Sequence, residues 1–219
     1  DIDVVMKRTQ HRALVTGQVR PRQALVFASM LLLVGNILLL LYTNVLTLGI
    51  ALGGFVAYVF IYTPAKRHTK YSTHLGAIAG ATPPIVGYTA VTHAFDEKAL
   101  LLFVILLVWQ MAHFFSIALF REQEYTLAHI PLFPITNGAF ATKVQISSYV
   151  VMFALGTLLL EFYIGAAWWY DLIIATLGGA WVLFSLRGFA THNHIRWARV
   201  MFFYSLGAIT LWCLIISIS

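Results

Sequence analysis

Three polar stretches of this sequence hold acids and bases at spacings that could do chemistry. The first is Asp1-Ile2-Asp3-Val4-Val5-Met6-Lys7-Arg8-Thr9-Gln10-His11-Arg12, where Asp3 and Lys7, and Arg8 and Arg12, stand i,i+4 and would share helix faces. The second sets Tyr62 four residues before Lys66, with Arg67 and Lys70 close behind. The third runs from Trp109-Gln110-Met111-Ala112-His113-Phe114 to Phe120-Arg121-Glu122-Gln123-Glu124-Tyr125. Carboxylates are hard oxygen ligands suited to Mg²⁺, and Lys and Arg side chains suit phosphate oxygens. Brought together, these residues would make a metal–phosphate site. The plainer alternative is solvated loop charge with local ion pairs, which contribute little.

Each stretch keeps both readings open. Asp1 and Asp3 differ by about 200° around a helix, so regular helix cannot aim both into one site. An acidic i,i+4 partner for Asp3 would have to precede Asp1. If one helix runs through the third stretch, His113 and Glu124 are about three turns apart and lie on one face. Gln110 and His113 sit inside an apolar run, where polar groups usually face a cavity or a partner rather than lipid. For His113 that means either a substrate-facing role or a buried histidine bonded to a neighbouring helix. Lys66, Arg67 and Lys70 also fit a membrane-surface anchor, and Tyr62 an interfacial belt. His192 and His194 lie in a basic loop and are expected to be solvated.

The elements that position these groups are apolar helices. Of 219 residues, 60% are hydrophobic and only 10% are charged, against about a quarter charged in soluble domains. No Asp, Glu, Lys or Arg occurs from Gln23 to Ala65, Tyr71 to Phe95, Ala99 to Phe120, or Val200 to Ser219. A membrane-spanning helix needs about 20 apolar residues. The first run therefore holds two spans, turning at Tyr42-Thr43-Asn44. Weaker spans fall at about 144–162 and 168–186, which brings the expected total to about seven. Thr82-Pro83-Pro84 must kink or break the third span, because proline gives no N–H and clashes with the preceding turn. Broken helices persist in membranes where they line a cavity. Leu31-Leu32-Leu33-Val34 does not alternate as a barrel strand would. Cys213 is the only cysteine, so no intrachain disulfide can form.

With seven spans, Lys7, Arg8, Arg12, Arg20, Arg22, Lys66, Arg67, Lys70, Arg121, Lys143, Arg187, Arg196 and Arg199 fall on one side. Lys98 alone falls on the other. Short loops rich in Lys and Arg stay cytoplasmic, which accounts for the net charge of +6 without nucleic acid. The acids Asp96, Glu97, Glu161 and Asp171 belong to the opposite side. The chain begins at Asp1 with no methionine or signal peptide, and is expected to be a fragment or a processed product.

Five elements occur in a telling order: Asp1-Ile-Asp3-x-x-Met6-x-Arg8-Thr9-x-x-Arg12-x-Leu14-x-x-Gly17, Tyr62-x-x-x-Lys66-Arg67-x-Thr69, Gly80-Ala-Thr-Pro83-Pro84-x-x-Gly87, Trp109-Gln110-x-x-His113-Phe114, and Arg121 through Glu124-Tyr125 to Ile130-Pro131-x-x-Pro134. Together they resemble the UbiA superfamily of intramembrane prenyltransferases, and within it the branch that acts on haem. The resemblance implies an all-α, polytopic membrane bundle. Residues 1–219 would form a single UbiA-type domain with about seven of the family's nine helices, the first two preceding Asp1. It also implies transfer of a farnesyl group from farnesyl diphosphate to a vinyl group of haem B, for haem–copper oxidases.

By the same resemblance, Asp3, Glu124 and Asp1 would hold Mg²⁺, and Asp3, Glu124, Lys66, Arg67, Arg121 and Tyr62 would be catalytic. Arg8, Arg12, Lys70, Gln110 and His113 would bind substrate. Three positions depart from the family pattern. Glu124 stands where Asp is usual, Ala128 occupies the second acidic position, and Ala112 replaces a proline. The expected partners are farnesyl diphosphate, haem B, the lipid bilayer and haem–copper oxidase assembly proteins. The expected location is the bacterial cytoplasmic membrane, ahead of the mitochondrial inner membrane. The alternatives are a prenyltransferase acting on a quinone precursor, or a non-catalytic haem-binding or transport protein.

The Lys/Arg asymmetry puts Arg67, Lys143 and Arg196 in the cytoplasm and Lys98 on the opposite side. With Cys213 replaced by Ser, cysteines at 98 and 196 should react with an impermeant reagent from opposite faces of intact membranes. Labelling of both from one face would contradict this topology.

Overall fold

A computed structural model describes Val4, Met6, residues 9–165 and residues 168–218. Among them every regular element is helical. Helix α1 spans Pro21–Tyr42; α2 spans Val45–Val56 and runs through a π-helical segment, Ala57–Tyr62, into α3, Thr63–His68. Helices α4 (Ser72–Gly80) and α5 (Thr82–Thr92) follow, then α6 (Glu97–Phe120) and the short α7 (Glu122–Leu127). The chain closes with α8 (Phe133–Ile164), α9 (Trp168–Arg187), a 3₁₀ turn at Gly188–Ala190, and α10 (His194–Ile216).

Among the described residues six helical runs, with α2, the π-helical segment and α3 joined as one (Val45–His68), are long and apolar enough to cross a membrane. The remaining expected span is the pair α4–α5, separated at Ala81. Pro83 and Pro84 have no N–H for the carbonyls of Ala79 and Gly80, so the ladder cannot run through. The π-helical segment has a related cause. Pro64 offers no N–H to Phe60, and the Thr63 N–H reaches back five residues to the Tyr58 carbonyl instead. The Thr63 hydroxyl donates to the same carbonyl at 2.9 Å.

Helix α6 is the hub, packed against α4, α5, α8 and α10. It contributes Ile105, Met111, Phe115 and Leu119 to a core completed by Ile146 and Phe153 of α8, Trp181 of α9 and Trp212 of α10. Phe153 meets the Trp181 ring edge-on at 5.3 Å. Close approach depends on small residues: a Cβ on Gly178 would lie 2.8 Å from Ala154 Cβ, and one on Gly54 only 2.7 Å from Thr82 Cγ2. Helix α8 is longer than its sequence pattern suggests, because its first turn precedes a kink at Gly138, where φ is 80°. Helix α1 buries none of its residues and packs chiefly against α2.

The two ends of the bundle differ chemically. At the basic end, the Lys70 ammonium donates to Asn137 Oδ1 at 3.3 Å, and Lys143 to the Thr191 carbonyl at 3.3 Å. At the far end, Asn44 Oδ1 accepts the Thr47 N–H at 2.9 Å, and its amide donates to the Thr89 carbonyl at 2.8 Å. Asp96 caps α6 there by accepting the Ala99 N–H, and also accepts from the Tyr88 hydroxyl at 2.7 Å. These two donors hold the Asp96 carboxyl below the usual carboxylate range. The cap therefore stabilises the fold above the ordinary carboxylate pKa, and is lost as pH falls through the lowered one.

Asn44 joins a helix cap to a bond between α2 and α5. Asn44→Ala should lower stability by about 1–2 kcal/mol, seen as a lower thermal midpoint in detergent. An unchanged midpoint would remove Asn44 from this role.

Candidate functional site

Between α2, α4, α5 and α6 lies a cavity of about 760 Å³ that opens toward the basic end. Its depth is mainly apolar, lined by Ala51, Gly54, Phe55, Pro83 and Val86 beside Thr82. One wall is a face of α6 carrying Gln110, Phe114, Ile117 and Ala118. The mouth is polar, formed by Tyr58, Tyr62, Lys66, Ser72, Thr73 and Tyr125. Tyr58 and Tyr62 stand with ring centroids 5.4 Å apart, and the Tyr62 ring lies over Gly76, where a Cβ would come within 2.9 Å. A long apolar group with a charged head would enter head outward.

Arg121 and Glu124 form an ion pair at 3.4 Å next to Tyr125, at the mouth. The helix does not continue through this stretch. It ends at Phe120, Arg121 takes φ −112° and ψ 20°, and a new turn of helix carries Glu124. His113 and Glu124 therefore do not share a face of one helix. Only one Glu124 oxygen is used by Arg121; Oε2 is buried and lacks a hydrogen-bond partner. Such an orphaned carboxylate oxygen is costly unless a cation or donor completes it. Among the described residues no group of three or more acidic, His or Cys side chains gathers around a metal position.

The candidates from the sequence divide cleanly. Tyr62, Lys66 and Gln110 line the cavity, and Arg121 and Glu124 stand at its rim. Arg67 is exposed at the same end without lining the cavity, and Lys70 is turned to Asn137 and the Tyr71 ring. Arg12 is exposed in the N-terminal turns. Asp1, Asp3 and Arg8 lie outside the described residues. Met6 packs on Ala118, Ile130 and Leu132, of which Ala118 and Leu132 also line the cavity.

His113 belongs to a different contact. Its Nδ1 lies 2.7 Å from Ser205 Oγ, and its ring stacks on Trp109 and tilts against Phe202. Trp109 Nε1 donates to the Ser205 carbonyl at 2.8 Å. The Trp109–His113 element thus clamps α6 to α10, the geometry of a buried histidine bonded to a neighbouring helix. The sequence reading missed Tyr58, Ser72 and Thr73. Tyr58 was signalled by its i,i+4 spacing from Tyr62; Ser72 and Thr73 carried no signal. His74, also missed, ties α4 to α8 through Tyr149, 3.2 Å away.

The UbiA prenyltransferase family matches residues 1–207. A protein named protoheme IX farnesyltransferase from Protochlamydia amoebophila is 46% identical over 204 residues, covering 93% of this chain and 72% of its own length. Proteins of the same name from Edwardsiella ictaluri and Cronobacter sakazakii are each 41% identical over 211 residues, 96% of this chain and 71% and 72% of theirs. No solved structure matches. The family match extends over nearly the whole chain, and an amphipathic cavity with a basic mouth suits a lipid diphosphate: this chain belongs to the UbiA prenyltransferase family.

Proposed function

We propose that the chain transfers a farnesyl group from farnesyl diphosphate to a vinyl group of haem B, giving haem O for haem–copper terminal oxidases. The carrying observation is the cavity with Lys66 and tyrosines at its mouth and Phe55, Pro83 and Val86 in its depth. It belongs to a chain 46% identical to a protein named protoheme IX farnesyltransferase. The diphosphate sits at the mouth, where Lys66, Arg67 and Arg121 neutralise it, and the farnesyl chain lies below.

UbiA prenyltransferases generally use Mg²⁺ with the prenyl diphosphate. Magnesium takes one or two carboxylates and completes its shell with substrate phosphates and water. Glu124, with one buried oxygen unengaged, suits that requirement; Asp3 and Asp1 are the further donors we propose. When bound, the ion would offset the charge of the leaving diphosphate.

The remaining work falls to the cavity. Its apolar walls keep bulk water from the allylic cation that forms as diphosphate departs, and the rings of Tyr58 and Phe114, nearer the mouth, are suited to meet that charge. Catalysis then rests on orientation and electrostatic stabilisation. We place the protein in the bacterial cytoplasmic membrane with its N-terminal loop cytoplasmic, in reach of oxidase assembly proteins.

Two outcomes check this. Glu124→Gln should reduce turnover on the order of 10²-fold, with membrane insertion unchanged and far-end Asp171→Asn nearly silent. Wild-type turnover by Glu124→Gln at saturating Mg²⁺ would remove Glu124 from the site. In a host lacking its own haem farnesyltransferase, the gene product at its natural length should generate a more hydrophobic haem, separable by reversed-phase chromatography and identified by mass. Unmodified haem beside a prenylated quinone precursor would transfer the assignment to a quinone-type enzyme.

A further inference from the structure

Two cavities meet at one side chain. Beside the cavity of about 760 Å³ lies a smaller one of about 290 Å³. Its walls are apolar, with Ile50 and Gly53 of α2, Ile78 of α4, Ile85 of α5, and Leu100 and Phe103 of α6. Among the described residues the two cavities share Gly54 and Thr82 alone. Glycine has no side chain, so the wall between them is Thr82 resting on bare backbone.

That contact is tight. A Cβ on Gly54 would lie 2.7 Å from Thr82 Cγ2 and 2.9 Å from its Oγ1. The Thr82 hydroxyl donates to the Ile78 carbonyl at 3.1 Å, which holds the side chain in place. Behind it there is room, since a Cβ on Gly53 would meet nothing within 4 Å. The larger cavity has the length of three isoprene units. Ala51, in its depth, stands eleven residues before Tyr62 at its mouth, about 16 Å of helix. An extended farnesyl main chain of twelve carbons reaches about 14 Å at ordinary C–C lengths and angles. A fourth isoprene unit adds about 5 Å, which the larger cavity lacks and the smaller one could supply.

We propose that Thr82, seated on Gly54, sets the length of the transferred prenyl chain by closing the smaller cavity to a fourth isoprene unit; this rests on the haem-farnesylation reading above. The diphosphate fixes one end of the substrate at the mouth, so extra length must be housed at the other end. A longer chain enters the smaller cavity only by displacing Thr82, which breaks its bond to the Ile78 carbonyl. Otherwise the longer substrate sits with its head drawn outward from Lys66, and C1 is misplaced for transfer. The selection is steric and acts far from the reacting atoms. Thr82 is thus a specificity-determining residue rather than a catalytic one.

The test uses membranes containing the gene product at its natural length, supplied with haem B, Mg²⁺ and equal concentrations of farnesyl and geranylgeranyl diphosphate. Extracted haems are resolved by liquid chromatography and mass, and the ratio of geranylgeranylated to farnesylated haem is read. Wild type should give chiefly farnesylated haem. Thr82→Ala should raise the ratio at least tenfold. Thr82→Ser, which keeps the hydroxyl and removes the methyl group nearest Gly54, should raise it by a smaller factor. Adding Gly53→Leu to Thr82→Ala fills the smaller cavity and should return the ratio to near wild type. An unchanged ratio in Thr82→Ala, or a gain that survives Gly53→Leu, would overturn the proposal, as would equal use of both substrates by wild type. Should Thr82→Ala fail to accumulate, the ratio in Thr82→Ser decides by the same criterion. Wild-type membranes giving no prenylated haem would overturn the underlying function, a result distinct from an unchanged ratio.

Discussion

Backbone groups in a hydrocarbon environment have no water to turn to, and this constraint governs where the bundle can open. An uninterrupted helix satisfies itself and offers only side chains to a substrate. At Ala81 the ladder is interrupted because Pro83 and Pro84 cannot donate, and at Ala57–Tyr62 it widens because Pro64 cannot. Both irregularities border the same cavity. Gly54, Gly76 and Gly80 stand at these places, where Thr82, Tyr62 and Gln110 press against backbone that would not admit a Cβ. The cavity is therefore a product of prolines that break and glycines that let side chains close the gaps.

The rigid counterpart is α6. One face carries Gln110, Phe114 and Ile117 into the cavity, while Met111 and Phe115 pack in the core. Trp109 and His113 grip Ser205 of α10 through two hydrogen bonds. That grip fixes the rotation of α6 about its axis, and with it the residues that face substrate. Polar residues inside a membrane protein are expensive. Here His113 is used to hold the scaffold and Gln110 to meet the cavity, though they are separated by less than one helical turn.

The sequence made the helical class and the spans legible because uncharged runs of about 20 residues have few other meanings. The broken third span was equally legible from Thr82-Pro83-Pro84. Lys66, Tyr62, Arg121 and Glu124 were reachable through spacing and resemblance, since both concern local order. What could not be read was which face of α6 turned inward: His113 and Gln110 have similar local patterns, and only the packing of α10 separates them. The continuous helix from His113 to Glu124 failed for a related reason. Nothing in Phe120-Arg121-Glu122 is a strong helix breaker, and the turn at Arg121 is set by tertiary context.

In the proposed function the substrate lies head outward, its chain directed between α2 and α5. A farnesyl diphosphate analogue bearing a photoreactive diazirine at the far end of its chain tests that placement. After irradiation and digestion, mass spectrometry should find the label on Ala51, Phe55, Pro83 or Val86, with unlabelled farnesyl diphosphate competing it away. Competed labelling at Trp109, His113 or Phe202, on the α6–α10 side, would contradict the account.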